Sequence, residues 1–145
     1  MTGEKKIKGR KREFATDTKG NLHETAVHAA DIPDCEGGKL VLEKIAIRQK
    51  VGEYPRLACT MTDHAYDRGD FPAYVERELG CRLEISIKDP HQHTFIPYPL
   101  RWVVEAAIAW LGRCRRLSKD YEYVNACSEA HIYIASIQRL LKKVA

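Results

Sequence analysis

The stretch RWVVEAAIAWLGRCRRLSKDYE, residues 101–122, carries the strongest indications of the fold. Its apolar side chains recur at three- and four-residue steps, which predicts a helix from Leu100 to about Leu117 with one buried stripe. Glu105 lies about 200° around this helix from Val103, so it points away from the stripe. Taken alone, Glu105 is interpreted as a surface residue that pairs with Arg101 one turn earlier.

The residues before this helix predict a β-hairpin and an alternation of helices and strands. Turn-forming residues at 17–21 separate two extended runs, and an acidic residue follows the third strand. The predicted elements are strands Glu13 to Thr16 and Leu22 to Ala30, a helix from Lys39 to Gln49, a buried strand from Arg56 to Thr62, a helix from Phe71 to Leu79 closed by Gly80, and a strand from Cys81 to Ile87.

A last helix is predicted to begin at Ser128, which can cap it, with Glu129 at its positive end. Its apolar face comprises Ala130, Tyr133, Ile134, Ile137, Leu140, Leu141 and Val144. The order β-β-α-β-α-β-α-α indicates a protein of the α/β class.

Composition is consistent with one globular domain, because 145 residues with 44% hydrophobic and 30% charged side chains can build one core. No apolar run reaches the roughly 20 residues needed to cross a bilayer, and the start of the chain lacks the apolar core of a signal peptide. We therefore expect no membrane association and a cytoplasmic protein. The five scattered cysteines are expected to be reduced and mostly buried.

Basic residues are concentrated in two groups within a chain of net charge +4. The first lies in a basic N-terminal segment, residues 1–12, before a domain predicted at 13–145. Such groups can neutralise nucleic-acid phosphates, although charge runs are more often solvated surface. The candidate DNA-binding residues are Lys8, Arg10, Lys11 and Arg12 in the first group and Arg113, Arg115, Arg116 and Lys119 in the second.

Two acidic residues are candidates for chemistry. Asp63 stands at the carboxyl end of a predicted strand, where open α/β sheets place their ligand sites. A turn or capping role explains such an Asp equally well, and the sequence around it favours that simpler interpretation. Glu105 is the second candidate, on the exposed side of its helix.

The stretch at 101–122 closely resembles bacterial insertion-sequence DDE transposases that carry a Tyr-Arg-Glu-Lys signature. The resemblance extends over nearly the whole chain, through residues 8–12, 17–20, 27–31, 39–44 and 128–133. It implies an RNase H-like mixed sheet with flanking helices, in which three carboxylates hold two divalent metal ions for DNA strand cleavage and transfer. Hard oxygen ligands suit Mg²⁺ or Mn²⁺.

By this resemblance Asp63 is the second metal-binding carboxylate and Glu105 the third. Tyr98 and Arg101 fall at the signature spacing from Glu105 and are implied to contact DNA. The signature Lys falls on Gly112, with Arg113 adjacent as a possible substitute.

The chain departs from the family at its beginning, because no Asp precedes Asp17. The family's first carboxylate lies on a strand that is central in the sheet, so we expect the sheet to be split. Completion then requires a repacked sheet, a homo-oligomer or an upstream transposase fragment.

Two functions are compatible with these observations, beside a third interpretation in which the chain is a structural remnant with no selected activity. The first is part of a DDE transposase that acts on transposon ends and is inactive alone. The second is a catalytically inactive, transposase-derived module for DNA binding or oligomerisation. An upstream coding segment that supplies a strand with an Asp would favour the first.

Overall fold

The computed structural model describes residues 9–86 and 101–144, which follow the predicted order of strands and helices. The strands are β1 (Arg10–Thr16), β2 (Leu22–Ala29), β3 (Cys59–Asp63) and β4 (Arg82–Ser86). The helices are α1 (Asp34–Lys50), α2 (Phe71–Leu79), α3 (Arg101–Gly112) and α4 (Asn125–Val144), with short 3-10 helices at His64–Tyr66 and Arg115–Leu117.

The strands form two separate sheets of two strands each. β1 pairs with β2 in the antiparallel direction, and β3 pairs with β4 in the parallel direction. In the part of the chain that the structure describes, the strands are therefore split between two sheets, as predicted. Within 9–86 and 101–144 the four strands do not join into the single mixed sheet that the family resemblance implies.

The β1–β2 hairpin lies between two layers of helices. One face packs Ala15 and Ala26 against buried residues of α1 and α2, in a cluster that includes Val41 and Val75. The other face packs Phe14 and Val27 against α3, α4 and the second 3-10 helix, in a cluster whose buried members also include Leu111, Leu117, Ile132 and Ala135. β2 is buried on both faces as a consequence, with a continuous buried run from Glu24 to His28.

A polar group joins the hairpin to the region after β3. Nε2 of His28 lies 3.1 Å from Oε1 of Glu13, and the Tyr66 hydroxyl donates to Oε2 of the same carboxylate at 2.7 Å. Burial and the neighbouring Glu13 carboxylate both raise the pKa of Tyr66 well above its ordinary value. Tyr66 follows Asp63 by three residues, so this hydrogen bond connects β1 to the segment that follows β3.

A second polar group joins α1 and α4 to β2. Glu24 is 1% exposed, and its carboxylate forms an ion pair with Arg48, whose Nε lies 2.6 Å from Oε1, and accepts a hydrogen bond from the Tyr133 hydroxyl at 2.6 Å. Burial and the hydrogen bond to Glu24 raise the pKa of Tyr133. The buried carboxylate therefore has a charged and a neutral donor, as buried charges require.

Several predicted boundaries are corrected by the structure. α1 begins five residues earlier than Lys39, because Gly37 and Gly38 continue the helix where it packs closely against His28 and Tyr66. β3 begins at Cys59, not at Arg56, and its Met61 is 43% exposed. α3 ends at Gly112, and Leu117, predicted as the end of this helix, instead closes the 3-10 helix Arg115–Leu117.

The predicted start of α4 is wrong, since the helix begins at Asn125 and Ser128 lies inside its first turn. Ser128 is 2% exposed and donates to Oδ1 of Asp120 at 2.7 Å. Glu129 does not simply face the helix dipole, because it accepts hydrogen bonds from Lys44 and from the Val27 N–H. None of the helices in the described ranges is long and apolar enough to cross a membrane.

Candidate DNA and metal-binding site

Asp63 is the last residue of β3 and is exposed, as expected for a ligand at a strand end. Its Oδ1 accepts a hydrogen bond from the Ala65 N–H at 2.9 Å and caps the 3-10 helix that follows. The capping role that the sequence favoured is therefore present. It uses one oxygen of the carboxylate and does not bury the side chain.

Glu105 lies in α3 and is also exposed, on the side of the helix away from its buried residues. Ala107 and Leu111 form that buried side and are 4% and 6% exposed. The predicted orientation of Glu105 relative to the packing stripe is thus confirmed. α3 owes its position to contacts with β1 and α4.

The two carboxylates do not belong to a complete metal site among the described residues. No group of three or more His, Cys, Asp or Glu side chains placed to hold a metal ion occurs in residues 9–86 and 101–144. Asp63 and Glu105 are exposed and carry the hard oxygen donors that Mg²⁺ and Mn²⁺ prefer, but two carboxylates do not make a complete ligand set. Tyr98 lies outside these ranges, as does the side chain of Arg101, whereas Gly112, at the position of the signature Lys, ends α3 and Arg113 beside it is exposed.

The first basic group is largely engaged within the fold. Lys8 lies outside the described residues, and Arg10, Lys11 and Arg12 are part of β1. Lys11 donates to the Ile32 carbonyl and to Asp34, at 2.9 and 2.7 Å. Arg12 donates to the Leu117 carbonyl at 2.7 Å, which connects β1 to the second 3-10 helix. These side chains have structural partners that the sequence did not reveal.

Arg10 holds the segment between the second 3-10 helix and α4. Its guanidinium donates to the Glu122 carbonyl at 2.7 Å, to the Tyr123 carbonyl at 2.6 Å and to Asp120 at 3.2 Å. Burial would raise the pKa of the Asp120 carboxyl, but hydrogen bonds from Ser128 and from the Glu122 N–H, with the charge of Arg10, outweigh it and lower that pKa. The charged Asp120 carboxylate and the planar Arg10 guanidinium therefore fix the backbone of this segment.

The second basic group lies on the surface of the same segment. Its four basic residues, Arg113, Arg115, Arg116 and Lys119, are all exposed. Arg116 also forms an ion pair with Glu122 at 2.6 Å. Tyr121 and Tyr123 are exposed between and beside these charges, at 62% and 96%. The sequence analysis did not select the two tyrosines, although aromatic residues interleaved with basic ones are a known signal for nucleic-acid contacts. We call residues 113–123 the basic segment.

The outer edge of β2 is closed by side chains of α1 and α4. In this hairpin the Ala30 N–H donates to the Gly9 carbonyl, so Gly9 and Ala30 are a hydrogen-bonded pair. Hydrogen-bonded and non-hydrogen-bonded pairs alternate along an antiparallel ladder. Thr25 and Val27 belong to non-hydrogen-bonded pairs and therefore direct their backbone groups away from β1. The Thr25 carbonyl accepts from Lys44 at 2.7 Å, and the Thr25 N–H donates to the Tyr133 hydroxyl at 3.3 Å. The Val27 N–H donates to Glu129 at 2.9 Å.

The outer edge of β1 differs from that of β2. By the same alternation Arg12 and Phe14 direct their backbone groups away from β2. Among the described residues, none donates to or accepts from these backbone groups. Within residues 9–86 and 101–144 the hairpin therefore has one edge covered by side chains and one edge without hydrogen-bond partners, the kind of edge to which a further strand can add.

A family model described as a transposase DDE domain matches residues 1–137 of the 145-residue chain. The chain belongs to this family of DDE transposases, which gives it a transposase-related function in DNA recombination. Searches of curated proteins and of solved structures gave no match. The expectation drawn from residues 101–122 is thus confirmed at the level of the family.

Proposed function

We propose that this chain provides the second and third metal-binding carboxylates of a DDE transposase centre, Asp63 and Glu105, and needs a further strand to become active. That strand pairs with the outer edge of β1 and carries the remaining carboxylate. It comes from an additional segment or from a second polypeptide. The observation that carries the proposal is the contrast between the open edge of β1 and the covered edge of β2.

The surroundings of β1 support a strand at this place. Tyr66 hydrogen bonds to Glu13, which connects β1 to the segment that follows β3 and Asp63. α3, which carries Glu105, also packs on β1. An acidic residue on a strand next to β1 would therefore lie in the same region as both carboxylates. In the RNase H-like arrangement the central strand likewise lies between the hairpin and the strand that carries the second carboxylate.

Metal ions fit this proposal through the chemistry of the ligands. Carboxylate oxygens are preferred by Mg²⁺ and Mn²⁺, and bound ions of this kind activate an attacking water or hydroxyl and stabilise the leaving oxygen. Two carboxylates alone offset little of the repulsion between two such ions. The remaining carboxylate is therefore required for a two-metal site.

We expect the isolated chain to leave supercoiled plasmid intact in the presence of Mg²⁺ or Mn²⁺. The measurement is conversion of supercoiled to relaxed plasmid by the purified chain, with Asp63→Ala and Glu105→Ala variants in parallel. Metal-dependent nicking that both substitutions abolish would contradict the need for a further strand. Nicking that survives both substitutions would indicate a contaminating nuclease.

We further propose that the basic segment binds DNA. Its backbone is held at the Leu117 carbonyl by Arg12 and at the Glu122 and Tyr123 carbonyls by Arg10, which lowers the entropy cost of presenting the side chains nearby. Arg113, Arg115 and Lys119 supply phosphate contacts, and Tyr121 and Tyr123 supply rings that can stack on bases.

A triple variant in which alanine replaces Arg113, Arg115 and Lys119 should have a lower affinity for duplex DNA. The dependence of that affinity on salt should also be smaller. Each lost phosphate contact lowers the slope of log affinity against log salt by about 0.9, so the slope should fall by about two to three. The measurement is fluorescence anisotropy with a labelled duplex at several salt concentrations. A triple alanine variant at Lys50, Arg56 and Arg68 removes the same charge from exposed positions elsewhere and should keep the slope. Equal losses in the two variants would show that only net charge matters.

A DNA-binding or oligomerising module without catalysis is the second candidate function. The capping hydrogen bond of Asp63 favours it, because this carboxylate already has a structural role. The two candidates differ in one result. If the chain is part of a transposase, adding a polypeptide that carries the further strand should produce metal-dependent nicking. If the chain is a module without catalysis, the same addition should produce none.

A further inference from the structure

α4 carries two apolar faces, and only one of them packs inside the molecule. The inner face includes Ile132 at 0% and Ala135 at 5% exposure. The outer face is exposed, with Ile134 at 53%, Ile137 at 55%, Leu141 at 60% and Val144 at 83%. We call this face the outer stripe, which consists of Cys127, Ala130, Ile134, Ile137, Leu141 and Val144, all of them exposed.

The outer stripe has the spacing of a coiled-coil seam. Its members follow one another at alternating steps of three and four residues from Cys127 to Val144. This is the a/d pattern by which two helices interlock their side chains. Scattered exposed apolar residues need no explanation, but a continuous stripe along a whole helix indicates a contact surface.

The stripe is complementary to itself when a second copy runs in the opposite direction. With Ile134 placed opposite Ile137 of the other copy, Ala130 comes opposite Leu141 and Cys127 opposite Val144. Small side chains then face larger ones at both ends, and isoleucines face each other in the middle. Opposed directions also place each helix C-terminus beside the partner's N-terminus, which the helix dipoles favour.

Charges agree with this arrangement. The positions that flank the stripe are His131 and Gln138 on one side and Tyr133 and Leu140 on the other, so no Lys, Arg, Asp or Glu side chains of like charge meet across the seam. Two basic residues of the last turns bind the β1–β2 turn and not the seam. Arg139 donates to the Gly20 carbonyl at 2.5 Å, and Lys143 donates to Asn21 at 2.9 Å.

The surface beside the stripe can receive the flank of a partner helix. A groove of about 340 Å³ lies between α4 and the β1–β2 turn. Its lining is mainly apolar and includes Ile137, Leu140 and Leu141. We propose that α4 pairs with α4 of a second copy, in antiparallel direction, to form a two-fold dimer. This inference stands on the helix alone and does not depend on DNA binding or catalysis.

The first experiment is the mass of the full chain in solution by light scattering, at concentrations from about 1 to 100 µM, a range typical of moderate protein affinities. We expect a dimer that Ile137→Glu converts to a monomer. Ile47→Glu is the matched control, because Ile47 is 63% exposed on α1 and outside the stripe. Circular dichroism verifies that each variant is folded, and Ile137→Ser replaces Ile137→Glu if the charged variant is not.

The second experiment fixes the direction of the helices. A Val144→Cys substitution should form an interchain disulfide with Cys127 under mild oxidation, because these positions face each other only across an antiparallel seam. Within one chain they are about 26 Å apart along the helix, too far for a bond. A Val144→Cys chain that also carries Cys127→Ser should lose this disulfide.

Three results would overturn the proposal. A wild-type monomer at every concentration would show that the stripe does not self-associate. A dimer unaffected by Ile137→Glu would place the interface elsewhere. Rapid disulfide formation between two wild-type Cys127 residues in the dimer would show a parallel pair.

Discussion

Replacing Gly37 with alanine should lower the free energy of unfolding by about 2 to 3 kcal/mol, the usual cost of overfilling a packed core. A Cβ at this position of α1 would lie 2.2 Å from Nε2 of His28 and 2.8 Å from its Cε1. Real Cβ atoms do not come so close to a neighbour, so the ring or the helix must move.

The ring has little freedom to move. His28 is 3% exposed, and its two nitrogens contact the Ala29 carbonyl at 2.9 Å and Glu13 at 3.1 Å. Glu13 also accepts a hydrogen bond from Tyr66 at 2.7 Å, so displacement of the ring would disturb the contact between β1 and the segment that follows β3. The gain in helix propensity from Gly to Ala, about 1 kcal/mol, is too small to compensate.

Gly112→Ala is the matched control for this prediction. Gly112 is the last residue of α3, and a Cβ built on it meets nothing within 4 Å. It should leave stability unchanged or raise it by up to about 1 kcal/mol. The measurement is urea denaturation followed by circular dichroism. Equal stabilities for the two alanine variants would contradict the close packing of α1 on the hairpin.

Local signals in the sequence predicted the elements that have local causes. α2 runs from Phe71 to Leu79 as predicted, and Gly80 closes it in the left-handed conformation with φ of 60°. The hairpin turn formed because Asp17 accepts hydrogen bonds from the Lys19 and Asn21 N–H groups. Such features depend on residues close in sequence, so a single sequence contains them.

Helix periodicity was less informative about which face is buried. The predicted face of α4 included Ile134 and Ile137, but the residues that pack inside are Ile132, Ala135 and Ser136. Both faces have helical spacing, and the inner face, where α4 packs on β2, includes the small residues Ala135 and Ser136. Only the tertiary structure distinguishes a packed face from an exposed one.

The candidate site was predicted in part. Asp63 and Glu105 are exposed at a strand end and on a helix, as their positions in the sequence indicate. The structural role of Arg10 was not foreseen, because its partners Glu122 and Tyr123 are more than a hundred positions away. Contacts between residues so distant in the chain leave no periodic or local signal.

The amides at the two edges of the hairpin should differ strongly in hydrogen exchange. Those of Thr25 and Val27 are bonded to side chains of α4 and lie in a buried strand. Those of Arg12 and Phe14 face the open edge of β1. We expect the β1 amides to exchange about a hundredfold or more faster than the β2 amides, because only the latter require opening of the packed structure.

Hydrogen exchange of these four backbone amides, measured by NMR on the isolated chain, tests most directly whether β1 offers an edge for a further strand. Slow exchange at Thr25 and Val27 with fast exchange at Arg12 and Phe14 is the result that the account predicts. Slow exchange at Arg12 and Phe14 would contradict it, because the edge of β1 would then already be paired.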